Sequence, residues 1–285
     1  MSRIAYVNGR YLRHAEAAVH IEDRGYQFSD GVYEVCGIRN GRFMDEALHL
    51  ERLERSLGEL RIEMPLPAAA LRHIMREVVR RNRIANGLVY LQVTRGVAPR
   101  DHPFPASHVP PALVVTAKRL SEARIAAAVA KGVAVATMPD LRWARRDIKS
   151  VSLLPNILAK QAAREAGAYE AWLVDAAGFV TEGSSTNAWI VDREGRLVTR
   201  PASHDILNGI TRRVLLEAAK AEGIEVVERP FTPQEAKSAR EAFISASSAI
   251  IIPVVRIDGE PVGNAEPGSL TLRLREAYGR VGRLT

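Results

Sequence analysis

Two Asn-Gly dipeptides near the start of the chain place the strongest limit on its fold. Asn8-Gly9 interrupts the strand-like residues 4–12, and Asn40-Gly41 interrupts the strand-like residues 35–43. Asn-Gly suits the two positive-φ positions of a tight turn, so both dipeptides predict β-hairpins. An antiparallel start of this kind argues against a dinucleotide-binding domain, which begins with a strand, a glycine-rich turn and a helix. The sequence also has no GxGxxG or GxxxxGK[ST] pattern.

The rest of the hydrophobic pattern mixes helices and strands without strict alternation. Apolar stripes predict two amphipathic helices, one with leucines at 50, 53, 57 and 60 and one with apolar residues at 71, 74, 75 and 78. The pattern then predicts helices at 156–166 and 211–222 and strands at 88–94, 112–116, 133–137, 171–174 and 188–191. This mixture predicts an α+β protein in two domains, residues 1–118 and 125–285, with a linker at residues 119–124.

Composition and charge exclude several classes of protein. The one cysteine, Cys36, cannot form an intrachain disulfide or a cysteine-based zinc cluster. The uncharged run at residues 242–255 is shorter than the roughly 18 apolar residues of a membrane span, and the N-terminus lacks a signal-peptide pattern. We therefore expect a soluble, cytoplasmic protein. The formal net charge of +7 would suit a nucleic acid, but the arginines are spread over both halves, so we expect neither a nucleic-acid nor a membrane partner.

Few side chains can supply a reactive amine, because the chain has six lysines against 34 arginines. Five of the lysines lie in polar helix faces or beside strands, where a solvated charge explains them. Lys149 instead lies between Ile148 and Val151 and follows two arginines. This setting would favour the neutral amine, which is the form that attacks a carbonyl. A solvated lysine in a basic run is the alternative interpretation.

Three polar stretches and one arginine are candidates for binding charged groups. Residues 181–187 carry Glu182 in a turn beside hydroxyls and an amide that can orient it. Residues 209–212 begin a helix, whose backbone N–H groups suit a phosphate, and residues 245–248 form a second hydroxyl-rich turn. Arg52 is one residue away from the leucine stripe of its helix and either points inward to an anion or is a surface arginine. Each stretch also has an ordinary explanation as a turn or helix cap.

A proline-rich loop provides a candidate carboxylate site. Arg100 and His102 lie two residues apart in a stretch stiffened by five prolines between residues 99 and 111. Held on an extended loop, the two side chains can address a carboxylate from the same side. The histidines show no metal-ligand spacing, so we expect no metal site.

Together, a reactive lysine, a carboxylate and two phosphate-type turns are the parts needed to bind pyridoxal phosphate. The chain moreover resembles the fold-type IV pyridoxal-phosphate enzymes, and among them the bacterial D-amino-acid aminotransferases. The resemblance runs through ordered motifs over most of the chain: EDRGYQF at 22–28, DGVYEV at 30–35, RDH at 100–102, DIKS at 147–150, LAKQ at 158–161, TEGSS at 181–185 and GITR at 209–212. It implies a smaller N-terminal α/β domain and a larger, β-barrel-like C-terminal domain with helices.

The resemblance also implies which residues bind the cofactor. Lys149 would hold pyridoxal phosphate as an aldimine and move the proton between the substrate Cα and the cofactor, and Glu182 would pair with the ring nitrogen. The phosphate and the ring face would be contacted by Arg52, the backbone N–H groups of Ile210 and Thr211, the hydroxyl of Ser247, and Leu207.

For the substrate, the resemblance implies a carboxylate site made by Tyr33, Arg100 and His102. Arg100 and His102 would come from the neighbouring subunit, which implies a homodimer with a shared active site. The implied activity is a two-step ping-pong transfer from a D-amino acid such as D-alanine to a 2-oxo acid such as 2-oxoglutarate. Two alternatives share the scaffold, a branched-chain L-amino-acid aminotransferase and an aminodeoxychorismate lyase, and the substrate-binding set favours the D-specific enzyme. Ser29, Ser247 and Ala249 depart from the usual Gly, Thr and Ser, which leaves the fine substrate preference open.

Overall fold

The computed structural model describes residues 3–106 and 108–285, which divide into two units. Unit 1 contains the described residues up to Leu120 together with Ile148–Ser152 and Arg283–Thr285. Unit 2 contains Ser121–Asp147 and Leu153–Gly282.

Unit 1 is built on a six-stranded antiparallel sheet with helices. Its strands are β1 (Ile4–Val7), β2 (Arg10–Arg13), β3 (Gly31–Arg39), β4 (Arg42–Phe43), β5 (Gly87–Thr94) and β6 (Ala112–Arg119), and its helices are α1 (Arg24–Phe28), α2 (Glu46–Glu59) and α3 (Ala68–Arg81). The strand order is β2-β1-β6-β5-β3-β4.

Both hairpins predicted from Asn-Gly are confirmed. β1 pairs with β2 and β3 pairs with β4, each across a two-residue turn. Asn8 and Gly9 have φ angles of 43° and 92°, and Asn40 and Gly41 have 49° and 75°. These are the positive values that a type I′ hairpin turn requires, and asparagine and glycine adopt them at low cost.

The two predicted apolar stripes form much of the core of unit 1. Leu53 and Leu57 of α2 and Leu71 and Val78 of α3 are each no more than 1% exposed. They pack in one cluster with sheet residues such as Leu91. Burying each of these side chains contributes about 1.5–3 kcal/mol, so the stripes hold both helices on the sheet.

Unit 2 is built on a nine-stranded mixed sheet. Its strands are β7 (Val133–Pro139), β8 (Glu170–Val174), β9 (Val180–Gly183), β10 (Asn187–Val191), β11 (Leu197–Thr199), β12 (Val226–Glu228), β13 (Glu241–Ala246), β14 (Ile250–Ile257) and β15 (Glu260–Pro261). Its helices are α4 (Glu122–Lys131), α5 (Leu154–Glu165), α6 (Ile210–Ala221), α7 (Pro233–Lys237) and α8 (Ser269–Val281).

The sheet of unit 2 runs β12-β11-β10-β13-β14-β7-β8-β9, and β15 pairs with β14. The pairs β14–β7, β7–β8 and β11–β12 are parallel, and the other pairs are antiparallel. Helix α5 connects β7 to β8, as a parallel pair requires, and packs the small side chains of Ala159 and Ala163 with sheet residues Ala171 and Leu173.

The predicted linker at 119–124 contains the break between the units, after Leu120, but most of it is regular structure. Arg119 ends β6, and the Ser121 hydroxyl accepts a hydrogen bond from the Arg124 N–H and caps α4. Residues 148–152 lie with unit 1, far from its other residues in sequence, because they pair with the edge of β3.

Two kinds of feature are absent from residues 3–106 and 108–285. No helix there is long and apolar enough to cross a bilayer. The same residues contain no group of three or more histidine, cysteine or acidic side chains arranged to hold a metal ion.

Candidate active site

Lys149 lies in an extended segment along the edge of β3. Its carbonyl accepts a hydrogen bond of 3.0 Å from the Tyr33 N–H, and the Val151 N–H donates to the Gly31 carbonyl at 3.0 Å. This backbone pairing brings the half-buried Lys149 side chain to the Tyr33 side chain, with the Nζ atom 4.3 Å from the ring centroid. Two of the predicted site residues therefore lie together in unit 1.

A second tyrosine backs the first. The Tyr33 and Tyr90 rings stack with centroids 5.6 Å apart, and the Tyr90 hydroxyl donates to Gln92 Oε1 at 2.6 Å. Burial, and to a lesser degree Tyr33, raises the pKa of Tyr90 to about 12. Tyr90 thus stays neutral across the working pH range and supports Tyr33 without adding charge near the amine.

Arg52 is held by a buried carboxylate. Its Nε and Nη2 donate to the two oxygens of Glu34 at 2.7 and 2.9 Å, and His49 Nδ1 lies 2.7 Å from Glu34 Oε2. Burial alone would raise the pKa of Glu34, but the Arg52 charge and the hydrogen bonds from His49 and Arg52 outweigh it and hold the pKa well below its usual range. The predicted phosphate ligand is therefore an oriented guanidinium, and sequence reasoning missed the carboxylate that orients it.

We expect Glu34→Gln to destabilise the protein at pH 7 by about 3–5 kcal/mol, because the substitution leaves the buried Arg52 charge uncompensated. The folded-state pKa of Glu34 lies below the unfolded value of about 4.3, so this stability is present above that pH and is lost as pH falls toward the folded value. The difference in free energy of unfolding between wild type and variant should therefore become smaller in acid. Urea unfolding at pH 7 and below pH 4 measures it.

Glu77 provides the control, because its half-buried carboxylate also pairs with two arginines, but these arginines, Arg80 and Arg81, are exposed on α3. Glu77→Gln should leave the free energy of unfolding nearly unchanged. If Glu34→Gln were as stable as wild type at pH 7, the buried pair would not contribute as the geometry indicates.

The predicted carboxylate-binding residues Arg100 and His102 are exposed, and in unit 1 they contact α1. The Arg100 guanidinium carbon lies 4.9 Å from the Phe28 ring centroid, and the His102 ring centroid lies 5.4 Å from it. Tyr33 has a different set of neighbours, namely Lys149 and Tyr90. Within unit 1, then, these contacts do not join the three predicted residues into one cluster.

Glu182 is buried in unit 2, and it lies within β9 rather than in a turn as predicted. The strand extends to Gly183 because that residue pairs with Trp172 of β8. Glu182 Oε2 accepts a hydrogen bond of 3.0 Å from Asn187 Nδ2, the amide expected to orient it. Its Oε1 accepts a hydrogen bond of 3.1 Å from the Leu207 N–H. The predicted ring-backing residue Leu207 is thus a direct neighbour of the predicted acid.

A third partner of Glu182, Arg142, was not predicted. Its Nη1 donates to Glu182 Oε1, and its Nε donates to Asp140 Oδ1 at 2.9 Å. Burial alone would lower the pKa of Arg142, but the charges of Glu182 and Asp140 raise it above its ordinary value. Glu182 therefore faces a permanently charged guanidinium. Arg142 and Glu182 are 40 residues apart, and no sequence spacing points to the pair.

The start of α6 suits an anion. Gly209 is its N-cap and has no side chain to cap it, and Ile210 and Thr211 belong to the first turn. The first N–H groups of a helix have no partner within it and carry its positive dipole end. A Cβ on Gly209 would lie 2.1 Å from Asn187 Oδ1, so glycine lets the helix start approach the residue that holds Glu182.

Ser247 lies in the turn that joins β13 to β14. β13 pairs with β10, and Ser245 lies opposite Asn187 in that pairing. Ser247 therefore lies two residues beyond the position opposite Asn187, just after the end of the neighbouring strand β13. The hydroxyl-rich turn and the Glu182 partner Asn187 are therefore positioned by the same pair of strands.

The residues of the two units fit pyridoxal phosphate in their chemistry. Unit 1 supplies an amine beside a tyrosine ring, which suits the cofactor aldehyde, and an oriented guanidinium. Unit 2 supplies a buried carboxylate for a ring nitrogen and a helix start whose N–H groups suit a phosphate.

The chain matches the family model of amino-transferase class IV over residues 31–257. It is 40% identical over 275 residues to a D-alanine aminotransferase of Staphylococcus haemolyticus, covering 96% of both chains. It is 42% identical over 270 residues to one of Bacillus licheniformis, covering 95% of this chain and 94% of the relative.

Two solved structures are similar to this one. The Escherichia coli branched-chain amino acid aminotransferase has a TM-score of 0.90 at 24% identity, covering 99% of this chain and 95% of that one. The T.th. branched-chain amino acid aminotransferase with pyridoxamine 5′-phosphate has a TM-score of 0.88 at 28% identity, covering 98% of this chain and 94% of that one.

Proposed function

Because this chain belongs to the class IV aminotransferases, we propose that it transfers the amino group of a D-amino acid, such as D-alanine, to a 2-oxo acid, such as 2-oxoglutarate. The observation that carries the proposal is the 40–42% identity to D-alanine aminotransferases over nearly the whole chain. The family membership, the fold-type IV architecture and the pyridoxal-phosphate cofactor predicted from the motifs are confirmed.

The branched-chain alternative has weaker support. The solved branched-chain enzymes share the fold, but their sequence identities of 24% and 28% are well below those of the D-alanine enzymes. Fold similarity alone does not define a substrate, since function depends on the site that the fold carries.

Seven residues of the chain would hold the cofactor, which when bound withdraws electrons from the substrate Cα. Lys149 would bind it covalently, and Glu182 would accept a hydrogen bond from its protonated ring nitrogen. Each oxygen of a carboxylate has two lone pairs, so Glu182 can accept this bond beside those from Asn187 and Arg142. The phosphate would be bound by Arg52, the N–H groups of Ile210 and Thr211, and the Ser247 hydroxyl, with Leu207 against the ring.

Lys149 would also move the proton. With the cofactor bound, the Lys149 amine would be the base that takes the proton from the substrate Cα and, once protonated, the acid that gives it back. Tyr33, Arg100 and His102 would bind the substrate carboxylate and so fix which face of Cα meets the amine. Stereochemistry at Cα then follows from where the carboxylate is held.

Parallel assays test the proposal. We expect pyruvate from D-alanine with 2-oxoglutarate, and no comparable turnover of L-leucine with 2-oxoglutarate or release of pyruvate from aminodeoxychorismate. Absence of pyruvate from D-alanine would contradict the proposed function, and turnover of L-leucine alone would support the branched-chain alternative.

We propose that the chain forms a homodimer, and the outer face of α5 supports this. Leu154, Ile157 and Leu158 follow helical spacing and are 60–66% exposed, whereas Ala159 and Ala163 are buried. Most helices bury their larger apolar residues, so a helix that buries alanines and exposes leucines is typical of one that packs on another subunit.

A shared active site predicts complementation between two inactive variants. If Arg100 acts in the neighbour's site, a hybrid dimer of Lys149→Ala and Arg100→Ala has one complete site, formed by Lys149 of one chain and Arg100 of the other. Random reassociation of equal amounts makes half of the dimers hybrids, so about a quarter of wild-type activity should return. Size-exclusion chromatography with light scattering checks that dimers form. No recovery in dimers that have exchanged subunits would place Arg100 in its own chain's site.

A cytoplasmic location stays a prediction. It is supported by Cys36, the single cysteine, whose buried thiol is free. Proteins of oxidising compartments typically carry disulfides instead. Cell fractionation tests it.

A further inference from the structure

We propose that Arg24 and Phe28 of α1 are positioning residues that hold the loop segment 100–102 in a shape ready to bind the substrate carboxylate. This inference rests on the proposed function for the role of Arg100 and His102, and it assigns a task to the EDRGYQF motif, which the proposed chemistry leaves unused. Arg24, Phe28 and Asp30 together are called the clamp.

Arg24 uses three nitrogens to fasten the loop. Its Nη1 donates to the Asp101 carbonyl at 2.6 Å, and its Nη2 donates to the His102 carbonyl at 3.2 Å. Its Nε donates to Asp30 Oδ2 at 2.9 Å, which fixes the plane of the guanidinium. The residue is 3% exposed, so these bonds are shielded from water and each is worth more than a surface contact.

The Phe28 ring provides the second half of the clamp. Arg24 lies 4.8 Å from its centroid and Arg100 lies 4.9 Å from it, and the His102 ring is tilted against it at 5.4 Å. A guanidinium is attracted to an aromatic face, and stacking limits its rotation. Phe28 therefore contacts both loop side chains that are proposed to bind the carboxylate, Arg100 and His102.

The motif also holds the start of the loop through its backbone. The Arg24 N–H donates to the Gly96 carbonyl at 2.9 Å, and the Ala98 N–H donates to the Glu22 carbonyl at 3.3 Å. The loop is thus tied to the motif at residues 96–98 and again at 101–102, with Arg100 exposed between the two ties. Such double attachment reduces the conformational entropy that substrate binding would otherwise have to remove.

The matched control is Arg95. It pairs with the same Asp30, through Nε at 2.7 Å, but donates to the carbonyls of Leu60 and Arg61 rather than to the 100–102 segment. Arg24→Lys and Arg95→Lys therefore disturb the same carboxylate. Only Arg24→Lys loses the forked contact to the carbonyls of residues 101 and 102, whereas Arg95→Lys loses contacts to other carbonyls and to the Phe104 ring. Phe28→Leu serves as a second variant that leaves Arg24 in place.

Four measurements on the holoenzymes test the inference. Arg24→Lys and Phe28→Leu should each raise the KM for D-alanine by about tenfold or more. Each should raise the Ki of propionate, a simple carboxylate, by the same factor. Both should leave the cofactor absorbance unchanged and speed tryptic cleavage after Arg100. Arg95→Lys should change the KM, the Ki and the cleavage rate by less than about threefold.

The outcomes separate this inference from the proposed function. Equal effects of Arg24→Lys and Arg95→Lys, or an unchanged propionate Ki in Arg24→Lys and Phe28→Leu, would overturn it. Wild-type protein that fails to turn over D-alanine would refute the proposed function and the carboxylate role with it, whereas the cleavage rate after Arg100 would still report whether Arg24 holds the loop.

Discussion

Lys149→Ala should abolish transamination and give a purified protein without the cofactor's visible colour. Loss of a positioned acid–base group alone lowers rates by about 10²- to 10⁴-fold, and this substitution would also remove the proposed covalent attachment of the cofactor. The side chain contacts the Tyr33 ring, so the alanine variant loses that contact and little core packing. Absorbance of the purified protein and pyruvate formation from D-alanine measure the effect.

Lys220→Ala is the matched control, because Lys220 is exposed in the last turn of α6. It should keep both colour and activity. A Lys149→Ala protein that retains the colour and more than a few per cent of the activity would show that another of the six lysines is the reactive amine.

Glu182→Gln should lower kcat/KM strongly while preserving the shape of the site. A carboxylate in contact with a protonated nitrogen raises the pKa of that nitrogen by about 1 to 3 units. Each unit corresponds to about tenfold in the population of the protonated form, so we expect a loss of about 10- to 1,000-fold. Steady-state kinetics with D-alanine, together with the cofactor dissociation constant, separate this loss from simple loss of the cofactor.

The control for this prediction is Glu165→Gln, an equivalent change on the exposed part of α5. It should leave kcat/KM unchanged. Wild-type rates in Glu182→Gln at saturating cofactor would mean that Glu182, despite its burial and its bonds to Asn187 and Arg142, does not act on the ring nitrogen.

Much of the fold could be predicted because its signals are local. Asn8-Gly9 and Asn40-Gly41 define their hairpins within a few residues, and the leucine stripe of α2 repeats at helical spacing. By contrast, the start of α4 lies in the predicted linker. The apolar face of this helix is mostly alanine, and Ile125 and Ala128 are only partly buried against the core of unit 2, so its periodic signal is weak. Helix α8 was not predicted because its buried face includes Thr271 and Ala277, which weaken the periodic signal.

In the candidate site, too, some residues could be predicted from local sequence and their partners could not. Lys149 and Glu182 stand out from their immediate neighbours in sequence, and the motifs around them identify the family. Their partners could not be predicted, because the pairs Arg142–Glu182 and Arg24–Asp101 join residues 40 and 77 positions apart. Such contacts arise from strand register and loop placement, which no local pattern encodes.

The structure assigns partners to some of the six lysines. Lys160 binds the Tyr169 carbonyl and pairs with Glu170, and Lys237 pairs with Glu260, so these lysines have structural partners. Many arginines do as well, including Arg52 with Glu34 and Arg95 with Asp30. Part of the high arginine content thus supplies buried and half-buried ion pairs.

The most direct test of the central claim is a single half-reaction without a 2-oxo acid. The holoenzyme is mixed with D-alanine or with L-alanine, and pyruvate and the cofactor absorbance are measured. A ping-pong transfer from a D-amino acid predicts about one pyruvate per subunit and loss of the visible band with D-alanine, and neither change with L-alanine. No pyruvate from D-alanine, or equal amounts from both enantiomers, would contradict the account.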